Sequence, residues 1–280
     1  MIHSVHPMFQ KPLLIILLFL PTFATAQRVI EPRPATPPPP AKSVAPIDLT
    51  GYWVSVVTED WRWRMVTPEK GSYPSIPLNA EGRRIANAWD PAKDEAEGNE
   101  CKAYGAGNIM RMPTRVHITW DNDNTLRVET DAGTQTRLFQ FGESKPPSGP
   151  PTWQGYSVAS WEYGGFGRSN PAAPNLNMVG KPRGGSLKAV TTHLRPGYLQ
   201  KNGVPYSDKA VVTEYFTVPK PTPNGDQWLI VTTIVDDPQY LGTQPEGREF
   251  GPLFGPLVRT TNFKKLKDAS GWNPTPCSAR

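Results

Sequence analysis

Apolar and polar positions alternate with a period of two along most of the chain. In the run around Val116, the residues Val116, Ile118 and Trp120 share one face, and Arg115, His117 and Thr119 share the other. Leu126 and Val128 oppose Arg127 and Glu129 in the next run. Such alternation marks half-buried strands. Turn clusters at Asp121–Asn124 and Asp131–Gly133 join these runs into a three-stranded meander from Arg111 to Phe141. One apolar face on three strands needs further strands to cover it. The chain supplies them as QGYSVASWEY, SLKAVTTHL, AVVTEYFTV, QWLIVTTIV and VRTTNFKKL. Asn202-Gly203 and Asn224-Gly225 mark turns between these runs. The segment from Trp228 to Val235 lacks polar residues other than threonine, which predicts burial on both faces. The upstream run DLTGYWVSVVTEDWRWRMVTP reads as extended, with Trp53, Val57, Trp61, Trp63 and Met65 on one face.

Helical signals are few. Asn79 is a candidate N-cap, Ile85 and Trp89 lie one turn apart, and Asp90-Pro91 suits a fresh helix start that Gly98 ends. The expected fold class is all-β, an antiparallel barrel of about nine strands with one or two short helices. Closure is expected because it removes exposed sheet edges.

The first residues carry an address rather than a fold. Lys11 precedes the apolar run Leu13–Leu20, and Ala24-Thr25-Ala26 matches a small-residue cleavage site. That predicts a signal peptide over 1–26 and a periplasmic or secreted location, with no stable membrane insertion. Residues 27–46, rich in proline, read as a disordered tether. The barrel domain is placed at 47–268 and a C-terminal tail at 269–280.

The chain has 30 basic and 25 acidic residues, a formal charge of +5. Removal of 1–26 takes away Lys11 alone, leaving 29 against 25, or +4. The signs are interleaved, which argues against a nucleic-acid partner. Cys101 and Cys277 are an even pair in a chain expected to be exported, which predicts a disulfide holding the tail. His117 and His193 stand apart, with no cysteine at ligand spacing, so no metal or other cofactor is expected.

Three charges fall on otherwise apolar faces. Glu59 sits among tryptophans, Arg137 lies between Gln135 and Phe139, and Glu214 between Val212 and Phe216. Buried charges must be paired. Inward faces of separate barrel strands converge on one lumen, so Glu59, Trp61, Trp63, Arg137 and Glu214 are expected to line one ligand pocket. A structural ion pair at a barrel end is the competing reading of the charges. No catalytic motif of high specificity occurs; neither a nucleophile elbow nor a triad can be read.

The stretches TGYWVSVVTEDWRWRM, IPLNAEGRRIANAWDPAKDE, ETDAGTQTRL, HLRPGYLQKNGVPYS and VVTEYF…TTIVDDPQYL together resemble an uncharacterised family of exported bacterial proteins. The resemblance implies a lipocalin-like β-barrel. It implies no activity, and it transfers no functional residue. The 164–185 stretch and GTQPEGREFGPLFG look like insertions into that pattern, the first either a lid or disordered.

Two functions from different classes follow. One is a binding protein that holds a small apolar or amphipathic ligand in an aromatic-lined barrel pocket. The other is a cofactor-free isomerase, hydratase or lyase that uses a Glu59/Arg137/Glu214 cluster on the same barrel. A structural or interaction role in the cell envelope, based on the tether, is a third.

Overall fold

The computed structural model describes Met1 and residues 38–142, 145–146, 148–163, 184–242 and 255–280. All of the expected signal peptide after Met1, the tether as far as residue 37 and the stretches 164–183 and 243–254 lie outside the described residues. The chain from Pro39 onward forms one unit.

Nine strands close into a barrel: β1 (Gly51–Val56), β2 (Arg115–Asn122), β3 (Thr125–Thr130), β4 (Gln135–Phe141), β5 (Tyr156–Tyr163), β6 (Gly185–Thr192), β9 (Val211–Thr217), β10 (Trp228–Asp236) and β11 (Leu257–Lys265). Their order around the wall is β1-β11-β10-β9-β6-β5-β4-β3-β2. β7 (Gly197–Gln200) and β8 (Val204–Tyr206) form a separate hairpin. The expected meander is β2–β3–β4, with Ile118 opposite Val128 and Val128 opposite Arg137.

The expectation of a purely antiparallel barrel is corrected at one seam. β4 and β5 run parallel, with Phe139 opposite Ser157. Parity requires this, because strands that alternate up and down cannot close a ring of nine. The proline-rich connection between Phe141 and Tyr156 carries the chain back along the barrel, as parallel neighbours need. A second correction concerns β10. Its burial alternates, with Leu229, Val231, Thr233 and Val235 inside and Ile230, Thr232 and Ile234 only partly covered. The outer face of a barrel meets solvent even where its residues are apolar.

The helices fall where the capping signals place them. α2 (Ala80–Asn87) starts at Asn79, whose side chain accepts from the Gly82 N–H at 2.8 Å. α3 (Pro91–Ala96) starts at Asp90, which accepts from the Ala92 N–H. A third helix, α1 (Trp61–Arg64), occupies the stretch expected to be extended. Asp60 turns the chain there with a left-handed φ of 53°.

The barrel interior is filled. Trp53, Val116, Ile118, Val128, Phe139, Leu187, Ala189, Phe216, Leu229, Val231 and Phe263 are all fully buried in one apolar cluster. Zero exposure leaves no water-sized space beside them. A second cluster, with Leu194, Leu199, Val204, Tyr206, Val212, Val235 and Leu257, closes one end under the β7–β8 hairpin. Gly203 turns that hairpin with φ +85°, and a Cβ there would meet the Trp89 side chain at 2.2 Å.

The other end is closed by residues expected to be tether. Ala41 is buried; its N–H donates to Asn124 Oδ1 at 2.8 Å and its carbonyl accepts from Trp161 Nε1 at 2.8 Å. Residues 39–46 thus belong to the same unit as the barrel, which runs from Pro39 to Arg280. The Cys101–Cys277 disulfide is present, with 5.0 Å between Cα atoms. It fastens a tail that also pairs Arg280 with Glu95.

Candidate ligand site

Between the two apolar clusters, the inward face of the wall turns polar. On β9 the inward residues run Val212, Glu214, Phe216; on β10 they run Val231, Thr233, Val235; on β11 they run Leu257, Arg259, Thr261, Phe263. Glu214 is opposite Thr233, and Thr233 is opposite Arg259, so the three share one level of the barrel. Arg137 on β4, Ser157 on β5 and Thr191 on β6 complete a polar belt.

Arg137 and Glu214 are brought together, as expected. Their side chains are 1% and 0% exposed. The guanidinium donates twice to the carboxylate, at 2.5 and 3.1 Å. It also donates to Thr191 Oγ1 at 3.3 Å, and Thr191 pairs with Ser157 at 2.7 Å. The guanidinium lies 4.9 Å from the Phe139 ring centre. The two bonds form a fork-to-fork pair in which each carboxylate oxygen of Glu214 accepts one N–H. The Arg137 Nε and the nearby Tyr206 hydroxyl lack partners among the described residues. That hydroxyl is wedged between Gly105 and Gly197. Burial pushes its acidity down, raising its pKa well above the ordinary tyrosine value, while Arg137 pulls the other way.

The remaining three expected site residues lie elsewhere. Strand parity does not apply to them, because the chain leaves β1 at Val56 and coils into α1. Glu59 accepts from Arg64 and from Thr58, not from Arg137. Trp61 is 58% exposed, with the Arg62 guanidinium over its ring. Trp63 donates to Ser72 Oγ and faces a recess at the hairpin-covered end of the barrel.

That recess gathers residues that strand periodicity did not reveal. Two adjoining hollows of about 70 and 20 Å³ share Trp63, Arg111 and Gln200. Arg259 and Asp60 border the larger, Arg64 and Lys201 the smaller. Arg64 is a strut: it donates to the Arg111 carbonyl at 2.8 Å, to Ser55 Oγ at 3.0 Å and to Glu59. Arg111 spends one N–H on Asp60, at 2.9 Å, and Arg259 spends one on the Leu199 carbonyl, at 2.6 Å. A guanidinium has five N–H donors, and among the described residues only one on each has a side-chain or backbone acceptor. Gln200 is 4% exposed, and its Nε2 lacks an acceptor among the described residues. Four cations, Arg64, Arg111, Lys201 and Arg259, meet two acids, Glu59 and Asp60. Burial holds the Arg259 pKa well below its ordinary value, and Arg111 and Arg64 add repulsion. Burial likewise lowers Lys201, whose ammonium reaches the Arg280 backbone oxygen.

Ile76, Leu257 and Val258 add apolar lining to the larger hollow. Asp60 and Ser75, two of the four non-glycine residues with positive φ among those described, both border it. Strain of that kind collects where a loop is held for a purpose other than its own stability. An arrangement of unspent N–H donors, surplus positive charge and an apolar wall suits an oxyanion on a hydrophobic body.

Arg259 had a readable signal. It shares the inward face of β11 with Leu257, Thr261 and Phe263, the same kind of break in an apolar face that marks Arg137 and Glu214. Arg64, Arg111 and Gln200 had none, since they sit in short turns or at a hairpin end. His117, half-buried on the outer wall, stacks on Tyr52 with ring centres 4.0 Å apart and meets Glu129 at 3.3 Å. His193 is tied to the Gly149 carbonyl at 2.8 Å. Comparison with protein-family models, curated proteins and solved structures gives no match for this chain.

Proposed function

We propose that this chain is an exported binding protein for a small amphipathic anion, with the carboxylate or phosphate head at the arginine-lined recess. The observation that carries the reading is the set of donors on Arg111, Arg259 and the buried Gln200 amide that have no acceptor among the described residues. An anion there gains hydrogen bonds to charged donors and relieves the repulsion between Arg111 and Arg259. The apolar body of the ligand would lie along Trp63, Ile76 and Leu257. A lipocalin-like role in the periplasm or outside the cell is in keeping with the disulfide and the leader-like first residues.

The enzymatic alternative has less support. Glu214 has both oxygens engaged by Arg137, and neither group reaches solvent. A general acid or base must reach the proton it moves.

Isothermal titration of the full chain with octanoate, octyl phosphate and octanol tests the proposal. The two anions should bind and octanol should not. Arg259→Met and Gln200→Leu should weaken anion binding about tenfold or more, the scale set by hydrogen bonds to charged groups. Equal binding of octanol, or anion affinity that survives Arg259→Met in a folded protein, would overturn it.

A further inference from the structure

The end of the barrel opposite the arginine recess is aromatic. Trp120, Phe141 and Trp161 pack with ring centres 5.2 to 6.3 Å apart, and Tyr163 stands beside them. Trp120 and Phe141 remain only partly covered although residues 39–47 lie across them as a strap.

The strap is held in an unusual manner. Ala41 is its only buried residue, and the apolar side chains it packs against the core are aliphatic and only partly covered: Val44, Ala45 and Ile47. Its polar hold runs through the backbone. The Trp161 indole donates to the Ala41 carbonyl at 2.8 Å, and the Tyr163 hydroxyl donates to the Val44 carbonyl at 3.3 Å. In return Asn124 Oδ1 accepts from the Ala41 N–H, and the Asp123 carbonyl accepts from the Lys42 N–H at 3.0 Å. An open groove of about 760 Å³ runs beside the strap from Lys42 and Ala45–Asp48 to His117 and Trp120; of the mouth's rings only Trp120 lines it, and the strap residues lie on its border. That volume lies within the size range of small-molecule sites. β2 continues past Ile118, its last pair with β1, so the groove floor ends in strand that β1 does not cover.

We infer that this aromatic mouth is a second ligand site, for an uncharged apolar molecule carrying carbonyl-type oxygens, and that the strap is its displaceable lid. The chemistry follows from what the mouth offers. Aromatic faces favour an apolar body, and two ring-borne donors now satisfied by strap carbonyls favour oxygen acceptors. Lys42 and Asp48 both border the groove, so among the described residues it carries no surplus of arginines like that at the opposite end, which separates this ligand from the anion there. The strap competes by occupying the same donors. Apparent affinity is then the intrinsic affinity reduced by the fraction of molecules with the strap lifted.

Prodan, an uncharged naphthyl ketone whose emission reports its surroundings, is a direct probe for the full chain. Asn124→Ala removes the acceptor for the Ala41 N–H, and Ala41→Pro removes the donor from the other side. Each should raise the open fraction and so tighten prodan binding about two- to tenfold, the effect of one lost hydrogen bond. Arg259→Met should leave it unchanged. Equal affinity in wild type and both strap variants, or no prodan binding in any of them, would overturn the inference.

Discussion

At the scale of single residues, Arg137 and Glu214 set the terms for the barrel interior. Their separation in sequence is 77 positions, yet the pair is bidentate and buried. Desolvation of two charges offsets most of their attraction, so the pair adds little net stability while intact. Loss of one partner strands the other. Arg137→Met should cost about 3–5 kcal/mol in chemical denaturation, and the double replacement Arg137→Met with Glu214→Leu should recover most of it. A single variant as stable as wild type would show that the charges are not held as a pair. Both residues were legible in the sequence, because each breaks an apolar face whose strand period is clear. Glu59 looked the same on paper and proved different. Its period was drawn through α1, where Asp60 ends the extended run, and alternation carries no information across a turn.

At the scale of elements, the tail and the strap show how segments without a hydrophobic period become part of the fold. The tail is tied by the disulfide, by the Thr275 N–H donating to the Asp131 carbonyl at 2.9 Å, and by Arg280 on Glu95. The cysteines are 176 residues apart. Closing so long a loop restricts the unfolded chain and stabilises the fold by up to about 5 kcal/mol. The Cys101→Ser/Cys277→Ser protein should therefore unfold at lower denaturant than wild type, with a difference of a few kcal/mol. Equal midpoints would mean that the hydrogen bonds alone hold the tail. The pairing was expected from an even cysteine count. The docking of residues 39–46 was not, because a proline-rich stretch carries no pattern and its contacts are backbone hydrogen bonds to distant residues.

For the molecule as a whole, the polar belt sits between two apolar clusters and beneath the β7–β8 hairpin. Two tyrosines of that hairpin have pKa values raised chiefly by burial: Tyr206 in the core, and Tyr198, whose hydroxyl also donates to Asp94 at 2.8 Å. The sign follows from linkage. A group whose pKa is higher folded than unfolded contributes stability below its unfolded value, about 10 for tyrosine, and that contribution is lost as pH rises toward the folded value. Stability should therefore be flat across neutral pH in this respect and fall above about pH 10. Tyr206→Phe should shallow that fall. It should also leave stability at pH 7 unchanged or about 1 kcal/mol higher, since it removes a buried hydroxyl with no partner among the described residues. Denaturation midpoints of the two proteins between neutral and alkaline pH check both points; an equally steep alkaline loss in the variant would assign the effect to other groups.

The sequence by itself determined what is local or periodic: the strands, the capped helices, the turn at Gly203, and the inward direction of Arg137, Glu214 and, had it been followed, Arg259. These depend on alternation and on backbone chemistry within a few residues. Only the tertiary structure decided which of those inward residues meet. The ring of nine imposes the parallel seam between β4 and β5 by parity, a constraint on the closed circuit rather than on any one strand. It also brings Arg64 from α1, Arg111 from a turn, Gln200 from the hairpin and Arg259 from β11 to one recess, although no spacing links them. Closure converts strand order and register into neighbourhood, and neither quantity is written in a single segment.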